Sequence, residues 1–223
     1  MHPLPDPDAQ HSDLQQPAAI VLCGGQSRRM GVDKASVLIG GQTMLQRVTD
    51  RVAEVARPIV VVAAPGQKLP ALSDHVVVVR DDYPDQGPLG GFLTGLSVLP
   101  QILSHDNPDA TQVVLTSCDC PFINPAVIAA LSTSLARQPG NFDCHVVHDD
   151  VRLQPLHAVY QLRVLSTVRR IFDTGRRSLQ QLLKEVRVLS TAATDLSDLD
   201  PQLLFLQNMN TLEDLEAARR LLP

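Results

Sequence analysis

The chain has 223 residues, 44% of them hydrophobic but only 3% aromatic, with no Trp. That is aliphatic material for a substantial buried core, which excludes wholesale disorder and disfavours a base-stacking nucleic-acid platform. A formal net charge of −5 likewise argues against a dedicated DNA or RNA binder.

In chain order, the start is a polar tail, residues 1–16, with three prolines and no apolar stretch of signal-peptide type. Residues 17–223 read as one domain. Ala18-Ala19-Ile20-Val21-Leu22 is a short apolar run that breaks at Cys23-Gly24-Gly25, as a buried strand entering a turn does. Helical spacing follows in Leu45, Val48, Val52 and Val55. Ile59-Val60-Val61-Val62 and Val76-Val77-Val78-Val79 are β-branched and continuous, as expected of parallel strands covered on both faces. Gly87 opens a helix through Leu99, and Val113-Val114-Leu115 is a strand ending at Asp119. Asn124-Pro125 starts a helix, with a capping side chain before a first-turn proline. Strands are expected near His145-Val146-Val147 and from Leu156 to Tyr160. In Asn210-Thr211-Leu212-Glu213, a cap and a matching acid precede the last helix. Strands alternating with helices mean crossover connections, hence an α/β fold with a mostly parallel sheet and ligands beyond its C-terminal strand ends.

The run from Leu22 to Lys34 carries what a triphosphate needs. Glycines let backbone N–H groups approach anionic oxygens, while Arg28, Arg29 and Lys34 supply fixed positive charge. It is neither a Walker A loop nor a G-x-G-x-x-G turn. Asp119, at a strand end, is a candidate Mg²⁺ ligand. Elsewhere, Arg152 to Arg187 holds eight Lys and Arg against Asp173 and Glu185, which suits either an anion site or a solvated face. His145, His148 and His157 lack a metal-like partner set and read as structural. Cys23, Cys118, Cys120 and Cys144 lack zinc or disulfide spacing, so free thiols in a reducing, cytoplasmic compartment are expected. No apolar run approaches the roughly 20 residues of a membrane span.

These motifs together resemble the molybdenum cofactor guanylyltransferase family, within the nucleotidyltransferases of nucleotide-diphospho-sugar type. The likeness is carried by Leu22 to Lys34, Gly40 to Leu45, Asp81 to Gly91, Cys118 to Phe122, Gln154-Pro155-Leu156 with Tyr160, Arg177-Ser178-Leu179 and Asn208 to Thr211. The resemblance implies a three-layer, Rossmann-like α/β/α domain that transfers GMP from GTP to the terminal phosphate of molybdopterin with Mg²⁺. By the same carry-over, Leu22, Cys23, Gly24, Gly25, Lys34, Asp81, Gly87 and Asp119 would bind nucleotide, and Asp119 the metal. Arg29, Lys34 and Asp119 would be catalytic, and Asn208 and Asn210, with the basic stretch from Arg152 to Arg187, would face the pterin phosphate. Substrates would be GTP and molybdopterin, with transient contact to proteins that make or accept the cofactor, and no nucleic acid or membrane. Two features depart from the pattern: Cys23 stands for the usual Ala, and Val62-Ala63-Ala64-Pro65 lacks the Asn that helps read guanine. A cytidylyl- or other nucleotidyltransferase acting on molybdopterin or a sugar or polyol phosphate therefore stays open, as does a non-catalytic nucleotide-binding module.

Overall fold

The computed structural model describes residues 16–24, 33–103 and 111–222. One seven-stranded sheet organises them. Its strands are β1 (Ala18–Leu22), β4 (Ile59–Ala63), β5 (Val76–Arg80), β6 (Gln112–Ser117), β7 (Cys144–His148), β8 (Leu153–Gln161) and β9 (Val188–Ala192), while β2 (Leu38–Ile39) and β3 (Gln42–Thr43) form a small hairpin. The order across the sheet is β5-β4-β1-β6-β8-β7-β9. Only β8 runs against the rest, pairing antiparallel with both β6 and β7. The expectation of a mostly parallel α/β sheet is met.

Alternation along β1 sorts the core into two layers. Ile20 and Leu22 face α2 (Pro88–Ile102), α4 (Val164–Asp173) and α5 (Leu179–Leu182), together with Val60, Val62 and Tyr160. Ala19 and Val21 face α1 (Met44–Ala53) and α3 (Pro125–Ala136) with Val61, Val114 and Phe205. Each fully buried Leu or Ile contributes roughly 1.5–3 kcal/mol relative to exposure, and the two layers hold most of them. A smaller third cluster, Ile39, Met44, Met209, Leu215 and Ala218, docks α6 (Leu212–Leu221) onto the β2–β3 hairpin.

Three elements differ from the sequence reading. The four valines of β5 form an edge strand, with Val78 42% exposed, rather than one covered on both faces. Helix α2 runs beyond Leu99 and through Pro100, which has no N–H to give the Leu96 carbonyl, and it ends two residues later at Ile102. The cap of α6 lies one residue later than expected: Thr211 accepts from the Asp214 N–H, and Asp214 returns the bond in a capping box. Asn210 is thereby released from capping, and this matters for the site.

Candidate active site

The strand order puts a topological switch between β1 and β6. The chain leaves β1 toward β4 and β5, and α2 then carries it back to β6 on the other side. Ligands of open α/β sheets settle at such a point, beyond the C-terminal strand ends. A cleft of about 840 Å³ opens there. One end is formed by Ala64, Pro65, Asp81 and Gly87, the middle by Leu22, Cys23, Gly24, Lys34, Ser117 and Asp119, and the far end by Leu156, Asn208 and Asn210.

Lys34 opens a 3₁₀ turn, Lys34–Ser36, because Asp33 caps it, the Asp33 carboxylate accepting from the Ala35 N–H at 3.0 Å. From that turn Lys34 Nζ reaches Asp119 Oδ2 at 3.0 Å and Asn210 Oδ1 at 2.9 Å. The lysine and aspartate side chains remain 15% and 21% exposed, so a ligand entering the cleft can meet both. Residues 85 apart in sequence thus converge on one spot.

Asp119 is held from behind. Ser117 ends β6, and the turn that follows, closed by the Cys120 N–H donating to Ser117 O at 3.2 Å, brings Asp119 back so that the Ser117 hydroxyl donates to Asp119 Oδ1. The Met209 N–H donates to the Asp119 carbonyl at 2.8 Å, and the buried Met209 side chain anchors that loop. The residues on either side, Asn208 and Asn210, both line the cleft. Asn208 Oδ1 accepts from the Cys120 thiol at 3.0 Å, which fixes the amide against the site's floor.

Leu22, Cys23 and Gly24 line the cleft as expected, but the N–H groups of Cys23 and Gly24 both donate to Val62 O, at 2.8 and 3.1 Å. They extend the sheet, and those two donors are not free for phosphate. Asp81 lines the opposite wall, with Oδ1 accepting from Thr94 Oγ1 at 3.2 Å and the Tyr83 N–H at 2.9 Å. Gly87 has φ +75°, and a Cβ there would stand 2.9 Å from Arg177 O. That carbonyl also accepts from the Leu89 N–H at 3.3 Å, so the Arg177-Ser178 stretch satisfies an orphan donor of the α2 N-terminus. Gly25, Arg28 and Arg29 lie outside the described residues.

Five of the eight basic side chains between Arg152 and Arg187 are engaged within the fold. Arg170 and Arg176 pair with Glu185, Arg163 and Arg187 with Asp143, and the Arg177 guanidinium stacks 4.0 Å over Phe172. From Arg152 to Arg187, the cleft lining includes only Leu156.

The thiols and imidazoles near the site are unsuited to nucleophilic or acid–base work. Burial and the Asp119 charge push the Cys120 thiol up to about 12, and a hydrogen bond with Cys23 together with burial holds the Cys118 thiol well above its ordinary value. Burial pushes the His157 imidazole down to about 4, against the opposing pull of Asp119 and Asn208. His145 sits between Leu131 O and Thr191 Oγ1, a structural tie. Among the described residues no group of three or more His, Cys, Asp or Glu could hold a metal ion.

Sequence reasoning missed Ser117, although a hydroxyl at the last strand position, two residues before a candidate carboxylate in the following turn, was a usable signal. It also missed Gln67, whose side chain links the β4 end to Cys23 and Asp33; nothing local in the sequence marks that contact.

An open α/β sheet whose switch-point cleft joins a lysine after β1 to a carboxylate after β6 is the framework of a nucleotidyltransferase. Residues 19–191 match the family described as the MobA-like NTP transferase domain. The chain belongs to that family, and it is a nucleotidyltransferase. It is 32% identical over 200 residues to the molybdenum cofactor guanylyltransferase of Desulfosudis oleivorans, covering 89% of this chain and 92% of that one. It is 30% identical over 199 residues to a probable molybdenum cofactor guanylyltransferase of Methanothermobacter thermautotrophicus, covering 87% and 95%. In fold it is similar to molybdopterin-guanine dinucleotide biosynthesis protein A from Archaeoglobus fulgidus, with TM-score 0.73, 21% identity and coverage of 92% and 97%. A similar fold occurs in 2-C-methyl-D-erythritol 4-phosphate cytidylyltransferase from Thermus thermophilus, with TM-score 0.62, 14% identity and coverage of 93% and 99%.

Proposed function

We propose that this chain transfers GMP from GTP to the terminal phosphate of molybdopterin, releasing pyrophosphate, with residues 17–223 acting as one domain. The observation that carries the transferase chemistry is the meeting of Lys34, Asp119 and Asn210 inside the switch-point cleft. The guanylyl and molybdopterin assignments are supported by the names of the relatives in Desulfosudis and Methanothermobacter.

In this reaction an oxygen of the acceptor phosphate bonds to the α-phosphorus while the bond from the α-phosphorus to the bridging oxygen breaks, and the electron pair leaves with pyrophosphate. The acceptor is already ionised near neutral pH, so no base is required, in keeping with the raised Cys118 and Cys120 thiols and the neutral His157 imidazole. The task left to the protein is alignment and charge neutralisation. Lys34 would move from Asp119 onto the phosphates and stabilise the charge passing to pyrophosphate. Asn210 would keep the lysine and the acceptor side in register.

One carboxylate without a supporting cluster suits Mg²⁺, which often takes one or two carboxylates and completes its shell with phosphate oxygens and water. Asp119 would hold it, with Ser117 fixing the carboxylate's orientation. When bound, Mg²⁺ supplies a Lewis acid on the phosphate oxygens.

A cytidylyl reading shares every contact on the phosphate side. At the base end the cleft is walled by Ala64 and Pro65, which carry no hydrogen-bonding side chain. Pyrophosphate release, measured with molybdopterin and each of GTP, CTP, UTP and ATP in the presence of Mg²⁺, separates the two. Turnover with GTP is expected; turnover confined to CTP removes the guanylyl assignment, and binding without pyrophosphate release removes the enzymatic one.

A further inference from the structure

We infer that Gln67 is a positioning residue for nucleotide binding: its one amide clasps Cys23, at the end of β1, to Asp33, whose carboxylate caps the turn that carries Lys34. This rests on the nucleotide reading above.

Gln67 lies beyond the end of β4 and does not line the cleft. Its backbone is fixed on the β4–β5 side. The Gln67 N–H donates to Ala64 O at 3.1 Å, and Arg80 Nη1 donates to Gln67 O at 2.9 Å and to Ala64 O at 3.1 Å. The side chain then reaches across toward β1. Nε2 donates to the Asp33 carboxylate at 3.0 and 3.1 Å and to Cys23 O at 3.3 Å, while Oε1 accepts from the Ala64 N–H at 3.0 Å.

Both donors of the amide are engaged: its two N–H groups meet two acceptor groups, Cys23 O and the Asp33 carboxylate, and its carbonyl oxygen closes on the Ala64 N–H of the same loop. The contact leads straight to the chemistry, because the same Asp33 carboxylate caps the turn that aims Lys34 at Asp119. Arg80, Gln67, Asp33, Lys34 and Asp119 thus form an unbroken series from the sheet's edge to its switch point. A carboxylate cannot replace the amide, since it has no N–H and would face Asp33 with like charge. An alanine leaves Cys23 and Asp33 unjoined.

The ionisable groups that face this side chain are Asp33, the Cys23 thiol at 3.7 Å and, on the backbone side, Arg80. In a Gln67→Glu variant the new carboxyl beside Asp33 would titrate above the ordinary carboxylate range of about 4.3, and its protonated form would restore one donor.

The test uses the whole chain, titrated with fluorescent N-methylanthraniloyl derivatives of GTP, CTP, UTP and ATP in Mg²⁺, with the melting temperature recorded beside each titration. For the nucleotide that the wild type binds best, Gln67→Ala is expected to raise Kd about tenfold, the worth of a charge-assisted hydrogen bond, at a melting temperature near that of the wild type. Gln67→Glu is expected to bind weakly at about pH 8, with its ratio to wild type recovering as the pH falls toward about 5. A pH profile of that kind would not follow from a role confined to packing. If Gln67→Ala and Gln67→Glu both bind like the wild type at every pH, the clasp is wrong while the nucleotide reading stands. Should Gln67→Ala fail to fold, a Gln67→Glu ratio that does not change with pH overturns the clasp. A wild type that binds none of the four overturns the nucleotide reading, and the clasp with it.

Discussion

At the scale of single residues, the account turns on two charged side chains with different tasks. Lys34→Ala removes a preorganised cation and is expected to slow pyrophosphate release about 100- to 1,000-fold, the usual cost of one such group. Asp119→Ala is expected to abolish metal-dependent turnover while the fold persists, since its carboxylate partners only Ser117 and Lys34 among the bonds described above. Steady-state assays beside circular dichroism check both. His157 provides a separate test. Its folded-state pKa of about 4 lies below the ordinary 6.5, so between those values the unfolded chain binds a proton that the folded chain does not. Stability should therefore be undiminished above pH 6.5 and fall as the pH drops toward 4, by up to roughly 1.4 kcal/mol per pH unit. Urea unfolding at several pH values should show a flatter slope for His157→Gln. An unchanged slope would mean the imidazole is not held neutral by burial. Lys34 and Asp119 could be singled out from charge beside glycines and from strand-end position, whereas Asp81 and Gly87 rested on the family resemblance; the structure brings all four to one cleft. Gln67 was not, since its meaning comes from a contact with Asp33, 34 residues away.

At the scale of elements, α2 lies directly on β1, and Gly95 makes that possible. A Cβ there would stand 2.8 Å from Ile20 Cγ2, and Ile20 is wholly buried between layers with no room to yield. Gly95→Ala gains roughly 1 kcal/mol of helix propensity but incurs overpacking of about 1–3 kcal/mol. Net destabilisation is expected in urea titrations; a stabilised variant would show that α2 can lift from the sheet. The buried strands β1, β4 and β6 were read correctly because short apolar runs, β-branched throughout only in Ile59-Val60-Val61-Val62, end at turn residues or at a charge. The same signature misled at β5, where composition cannot say which strand has no further neighbour. The α6 cap slipped by one residue for a similar reason: Asn210 and Thr211 are both competent caps. The choice fell to Thr211 with Asp214, leaving Asn210 for Lys34.

At the scale of the whole molecule, the cleft lies across the ends of β4, β1, β6 and β8 of a single sheet, with Ala64 and Pro65 on one side of the switch point and Leu156 and Asn208 on the other. A nucleotide seated there joins both sides, so binding should stabilise the fold as one unit and raise the melting temperature with ligand concentration. In thermal-shift measurements with Mg²⁺, GTP is expected to raise it more than CTP, UTP or ATP. Equal shifts for all four would mean that the base end does not discriminate. The position of the site was legible from strand–helix alternation alone, because ligands collect beyond C-terminal strand ends. The pairing of the basic stretch with Glu185 and Asp143 was not, since charge counts do not reveal which acids lie across a turn. The most direct measurement is a crystal structure of the chain with GTP and Mg²⁺. Lys34 Nζ should lie on a phosphate oxygen and Asp119 on the metal, both within the switch-point cleft. Triphosphate bound elsewhere, with Lys34 and Asp119 still paired to each other alone, would contradict the account.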